Sequence, residues 1–308
     1  MRARILMLAE DDRYREPLRV AQQALSAVAV AFGHSFAMRE DVLQNRRSLD
    51  EDTALLIGGR DALHAAALGM GFSYGERYYA ERDWDLGLSR MRDGRTPAGA
   101  VVFPLSPDPG RVARACSAAC AMARKGGGEL LFIPPHGSEA LWQGAMSRAS
   151  LYASVPQPEP LGLEDALAMA LTGLGERHIT VADAETAGLM DTVLSHAGGM
   201  DTLAYTAYAR DEGRVFAAPV PYGRRKPGLF SVLYAAAALL DEGLRLGGEG
   251  GCLRAALDNV LHSGWRARDM KAGERTVPDE EILSLVKEQV ALAGELFDRL
   301  QQPGTGEG

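Results

Sequence analysis

The sequence predicts an α/β fold, with one sheet carrying helices on both faces. Short apolar runs such as RILMLA (Arg4–Ala9), TALLIGG (Thr53–Gly59), VVFPL (Val101–Leu105) and HITVA (His178–Ala182) have no polar alternation, as expected of strands buried on both sides. Between them lie amphipathic stretches at helical spacing, so strands and helices alternate along the chain. The 308 residues are 46% apolar and 24% charged, the composition of an ordinary globular chain. At about 150 residues per domain, that length predicts two domains.

The elements follow in order. After the strand Arg4–Ala9, the segment Pro17–Phe32 places Leu18, Ala21, Leu25, Val28 and Ala29 on one helical face and ends at Gly33. A second strand covers Ser35–Met38, and Thr53–Gly59 is the third. Gly69–Gly99 is rich in Arg, Tyr, Asp and Gly and shows no clean period; it reads as loop and short helix. From Ala100 the alternation is regular. The strand Val101–Leu105 leads to a helix over Pro107–Arg124, then the strand Glu129–Pro134. Helices at Ser138–Arg148 and Leu163–Leu174 flank an expected strand near Leu151–Val155. The strand His178–Ala182 precedes a helix reaching His196. Thr202–Tyr208 and Val215–Val220 read as extended, and Gly228–Leu246, Gly251–Ser263 and Asp279–Leu300 as helices.

Charge narrows the partners. With 33 Lys and Arg against 41 Asp and Glu the chain carries a net charge of −8. That balance argues against broad nucleic-acid or anionic-membrane binding, both of which need a positive face. No run of about 18 apolar residues predicts a membrane span. The amino-terminal run is too short and too flanked by charge for a secretory signal. Three cysteines make a poor disulfide framework for this length and read as free thiols of a cytoplasmic protein.

The local chemistry is sparse. Glu10 to Arg15 follow the first strand without a glycine, so no dinucleotide loop of the Gly-x-Gly-x-x-Gly kind is present, and there is no Walker loop. Cys116 and Cys120 share a helical face and read as buried small hydrophobes. Asp191, on the helix after the strand at 178–182, is the best candidate ligand for a hard cation such as Mg²⁺, with Asp183 and Glu185 just upstream. The alternative is a solvated carboxylate near a helix start. Tyr222-Gly223-Arg224-Arg225-Lys226-Pro227 is the most concentrated cationic stretch and precedes a long apolar helix. It reads either as a phosphate or carboxylate site or as a solvated charged face.

Taken in order, these segments resemble the β-decarboxylating dehydrogenases, the isopropylmalate/isocitrate dehydrogenase family. ILMLAEDDRYREPLRV resembles the family's first strand and turn, with Asp11 and Glu16 kept and the glycines gone. DTALLIGG (52–59) resembles its strand ending in glycines. PDPGRVARACSAACAMARKGGGELLFIPP (107–135) resembles its Arg-Val-Ala helix and following strand. Met190-Asp191-Thr192-Val193-Leu194-Ser195 resembles its metal-binding Gly-Asp-Ile-Leu-Ser-Asp helix, Lys226-Pro227 its Asn-Pro, and WRARDM (265–270) its late Arg-Thr-Gly-Asp segment. The resemblance covers about two thirds of the chain. It implies two lobes sharing a mixed sheet, with residues 1–99 and 213–308 in one and 100–212 in a second, dimer-forming one. It also implies a homodimer with shared sites, NAD or NADP as cofactor with Mg or Mn, and oxidation of a small 2-hydroxy acid with loss of carbon dioxide.

This chain departs from that pattern where the chemistry is done. The family's catalytic lysine follows a strand that here runs into Pro135 and His136, which makes His136 the candidate base. Ser195 replaces the second metal aspartate. The adenosine loop is replaced by VPYGRRKP (220–227), leaving Tyr222, Arg224, Arg225 and Lys226 as the candidate cofactor contacts. Arg77, Tyr78, Tyr79, Arg82, Arg90, Arg92 and Arg95 fall where the family's substrate arginines and tyrosine lie, without a fixed register. General acid–base groups supply about 10²–10⁴-fold each, so losing them weighs heavily. Two readings result: an NAD(P)-dependent oxidoreductase of this family with a degraded site, or a non-catalytic homodimer that binds a small anion or a partner protein through the former cleft. A third is a dehydrogenase for an unfamiliar acid, with His136 as base.

Overall fold

The computed structural model describes residues 1–79, 81–83, 88–90, 99–172, 178–198, 204–211, 213–221, 223–270 and 275–301. The chain alternates as expected: β1 (Arg2–Ala9), α1 (Arg15–Ala31), β2 (Ser35–Val42), β3 (Thr53–Gly58), α2 (Arg60–Gly69) and β4 (Tyr74–Tyr79), then the short pair β5 (Glu81–Asp83) and β6 (Leu88–Arg90). Next come β7 (Gly99–Pro104), α3 (Pro109–Gly126), β8 (Glu129–Ile133), α4 (Glu139–Ala153), α5 (Leu163–Thr172), β9 (His178–Ala182) and α6 (Ala184–Gly198). The last part holds β10 (Tyr205–Ala209), β11 (Arg214–Pro219), α7 (Leu229–Ala238), α8 (Gly247–His262), β12 (Trp265–Ala267), β13 (Arg275–Val277) and α9 (Asp279–Gln301). A π-helical turn at Leu239–Gly243 joins α7 to α8.

Nine strands form one mixed sheet in the order β2-β1-β3-β11-β10-β4-β7-β9-β8. β2, β1, β3 and β11 are parallel neighbours, and β4 shares their direction because β10 runs antiparallel between β11 and β4. β7 is antiparallel to β4, and β9 and β8 follow β7. The sheet therefore has two carboxyl edges. β1, β3, β11 and β4 end at one, and β7, β8, β9 and β10 end at the other. Ligands of open α/β sheets sit outside such carboxyl ends.

Alternation along each strand sorts the helices. On β1, Ile5, Met7 and Ala9 pack with α1, α7 and α9, while Leu6 and Leu8 pack with α2. On β7, Ala100 and Val102 face the side of α7, α3 and α4, and Val101 faces α6. So α2, α5 and α6 share one face and the other long helices cover the second. The sheet runs unbroken across the expected lobe boundary, with β10 seated between β11 and β4.

Two segments differ from expectation. Gly69–Gly99, expected as loop and short helix, contains β4 near the middle of the sheet. The strand expected near Leu151–Val155 is the end of α4. Ala145, Met146, Ala149 and Ala153 recur at helical spacing and are buried, with Ala145, Met146 and Ala149 in one cluster with α3, while Leu151 and Tyr152 point outward. Packing overrides the β-prone Leu-Tyr-Ala-Ser-Val sequence, and Ser154 ends the helix in the left-handed conformation at φ 56°. Among the described residues no helix is long and apolar enough to cross a membrane.

Candidate functional site

β4 carries the site because its side chains alternate. Its sequence YGERYY sends Glu76 and Tyr78 toward α7 and sends Arg77 and Tyr79 toward α2 and α6. On the α6 side, Arg77 Nε donates to Asp191 Oδ1 at 3.0 Å and the Tyr79 hydroxyl donates to the same oxygen at 2.7 Å. Arg60, the first residue of α2, holds Oδ2 with an N···O distance of 2.5 Å and also donates to Thr192 Oγ1 at 3.2 Å. Arg77 Nη1 donates to Thr206 Oγ1 on β10 at 3.4 Å. Asp191 and Arg77 are 5% and 4% exposed, so this is an interior ion-pair cluster that joins α6 to α2 and the sheet.

The electrostatics follow from that burial. Desolvation pushes the Asp191 carboxyl up, but the guanidinium charges of Arg77 and Arg60 and the Tyr79 hydrogen bond outweigh it, and the group lies below its ordinary value. Burial, and then the charge on Asp191, push the Tyr79 phenol well above its ordinary value. Tyr79 is therefore a neutral donor locked onto a carboxylate, a poor arrangement for passing a proton to a substrate.

A divalent cation at Asp191 is the sequence expectation, and the described residues do not fit one. Both oxygens of Asp191 face guanidinium groups, so a dication there would stand beside two positive charges instead of further carboxylates. Asp183 is spent on the first turn of α6, accepting from the amides of Glu185 (2.9 Å) and Thr186 (3.0 Å). Eight residues of helix rise, about 12 Å, separate it from Asp191. The side chains of Ser195, His196, Arg82 and Arg90 lie outside the described residues, as do Arg92 and Arg95. Among the described residues no group of three or more His, Cys, Asp or Glu side chains could hold a metal.

The carboxyl edge of β1 and β3 is also filled from within. Glu10 Oε2 accepts the Gly59 amide at 2.7 Å, directly before α2, and a Cβ at Gly58 would come within 2.9 Å of the Glu10 Cβ. The glycine pair is thus required by Glu10, whose carboxylate takes the helix N-terminus where an external anion would bind. Nothing in the apolar run before Glu10 signals this.

The remaining candidates are scattered. His136 follows β8, at the opposite carboxyl edge from β11 and β4; its side chain is fully exposed and pairs with Glu139 at 3.3 Å. Arg224 is tied to Asp269, through the carbonyl at 2.9 Å and Oδ2 at 3.3 Å. Lys226 meets Glu16 at 3.2 Å and Asp279 at 3.7 Å. With the exposed Arg225 they line a cavity of about 440 Å³ whose basic and acidic side chains balance, four against four. Tyr222 lies outside the described residues. The structure thus brings Asp191 together with Arg77 and Tyr79, adds Arg60, and keeps His136 apart.

Comparison with known proteins shows the fold alone. No family model and no curated protein matches the sequence. Among solved structures, a chain of the Euglena gracilis mitochondrial ATP synthase peripheral stalk superposes with a TM-score of 0.72 at 14% identity, over 94% of this chain and 99% of that one. The TT0538 protein from Thermus thermophilus matches equally well, with a TM-score of 0.72 at 13% identity over 93% of this chain and 68% of its own. The fold is shared; the sequence is not.

Proposed function

We propose that this chain is a non-catalytic protein of the isopropylmalate/isocitrate dehydrogenase-like fold, a homodimeric binding module that takes a partner protein at its former cleft. The observation that carries this reading is the saturation of Asp191. The carboxylate that would polarise a hydroxy acid through a metal instead neutralises two arginines and anchors a tyrosine. Glu10 on the Gly59 amide and the paired Arg224 and Lys226 support it, since each fills with a protein group a place where a nucleotide or anion would bind. The similar chain in the ATP synthase peripheral stalk belongs to a protein that works within a larger assembly, and so adds support for an assembly role.

The test is direct. NAD⁺ or NADP⁺ at millimolar concentration, with Mg²⁺ and isopropylmalate or isocitrate, is expected to leave the melting temperature unchanged and to produce no reduced nucleotide. A ligand at about 100 times its Kd adds about 2.7 kcal/mol of stability, a shift easily seen. Nucleotide-dependent stabilisation or turnover would return the chain to the oxidoreductase reading.

A further inference from the structure

α1 and α9 lie side by side and run in the same direction. Lys226 meets Glu16 near the start of α1 and Asp279 at the start of α9, and Ala31 meets Gly294 toward their ends. The approach there is close, since a Cβ at Gly294 would come within 2.6 Å of the Ala31 carbonyl oxygen. On the solvent side of the pair runs a groove of about 630 Å³. Ser26, Ala27, Ala31 and Ala291 give it a floor of small side chains, and Val30 stands beside them 84% exposed.

The charges along this groove are their own complement. Lys287 and Glu295 line it four residues before and four after the exposed Ala291, one helical turn to either side on the same face of α9. Among the described residues Lys287 has no ionic partner, and Glu295 meets only the exposed Arg299, at 3.9 Å. A two-fold axis crossing α9 at Ala291 lays a second copy of the helix antiparallel to the first. Each Lys287 then faces Glu295 of the partner subunit, so two ion pairs flank a centre of small side chains. Glu16 lies level with Asp279 and Ala31 with Gly294, so the same axis crosses α1 near Val28 and sets Val30 over Ser26 of the partner subunit. Self-complementarity of this kind is what a two-fold contact demands. α1 has 17 residues, about 26 Å of helix, and two adjacent helices are about 20 Å wide, so the face offers about 500 Å² per copy. Doubled, that reaches the lower bound of a specific interface, about 1,000 Å² in total, and implies a reversible association. We propose that α1 and α9 form a homotypic interface, with a second copy of this chain packed antiparallel across a two-fold axis at Ala291. It goes beyond the homodimer proposed above, whose contact is expected within residues 100–212, and joins such dimers into tetramers.

Light scattering of the full chain over a concentration series tests this. The wild-type mass is expected to double as concentration rises. Lys287→Glu sets like charges against each other twice and is expected to weaken the association by about tenfold or more, so the mass halves where the wild type is associated. Val30→Asp is expected to do the same by placing a carboxylate against the small floor. Lys287→Glu combined with Glu295→Lys exchanges the charges and is expected to restore the wild-type mass. All three positions are exposed, so the melting temperature of each dissociated form should be unchanged. The halving marks this contact whether a dimer or a single chain remains, and so separates it from the contact within residues 100–212. A wild-type mass that stays constant with concentration, a Lys287→Glu protein that associates as the wild type does, or a charge exchange that fails to restore association would overturn the proposal.

Discussion

Asp191→Ala is expected to destabilise the protein by about 3–5 kcal/mol, the usual consequence of removing one partner from a buried ion pair. The variant leaves Arg77, which is 4% exposed, without its carboxylate, beside the Thr206 hydroxyl and the Tyr79 ring, and leaves Arg60 with Thr192. Urea unfolding of the two proteins checks the magnitude. Arg77→Met should cost less, because Asp191 keeps Arg60 and Tyr79. Acidity gives an independent reading of the same cluster. The Asp191 carboxyl lies below its ordinary 3.8, so its stabilisation is present in full above that value and is lost as the pH falls through the lower folded value. Stability of the wild type should therefore fall on acidification below about 3.8 more steeply than that of Asp191→Asn. Equal slopes would mean that the carboxylate is not held by the arginines.

The second large effect is expected at Trp142. Its indole is 1% exposed and belongs to the cluster that joins α3 and α4, with Val112, Cys116, Ala119, Cys120 and Met146. The α3 residues there are small, which leaves room for the ring, and burial pushes the Cys116 thiol up to about 12, so it behaves as a hydrophobe. Trp142→Ala empties the largest side chain of this cluster and is expected to cost about 3–5 kcal/mol. The change should appear as a lower urea midpoint with loss of near-ultraviolet signal. A cost below about 1 kcal/mol, far under that of an interior cavity, would show that α3 and α4 do not pack around Trp142.

Much of the fold is legible because the strands are apolar runs and the helices carry one apolar stripe. β1, α1, β3, β7 to β9 and the three long carboxyl-terminal helices can be read that way. β4 cannot, since GERYY breaks every hydrophobic pattern for a strand. Its charges are buried in pairs, Glu76 with Arg214 at 2.7 Å on one face and Arg77 with Asp191 on the other. A charged pair flanked by tyrosines inside a strand-length segment is the available signal. The end of α4 reads as a strand because the side chains pointing into solvent there, Leu151 and Tyr152, are the apolar ones.

The candidate site is legible in position and misleading in chemistry. Asp191 does lie among residues that organise the molecule, but as the counterion of Arg60 and Arg77. Sequence spacing does not show this, because the arginines lie 131 and 114 residues away and meet Asp191 only through the order of strands. His136 is plausible in the sequence because the carboxyl end of a strand usually bears function. The reversal of β7 against β4 places that end on the far side of the sheet.

Manganese binding followed by electron paramagnetic resonance bears most directly on the idea that arginines have taken the place of a metal at Asp191. With Mn²⁺, isopropylmalate or isocitrate and either nucleotide present, the free-ion signal should stay at its protein-free intensity for both wild type and Asp191→Asn. A stoichiometric loss of that signal in the wild type, abolished by Asp191→Asn, would show that the carboxylate holds a metal and that the cleft is still an enzyme's.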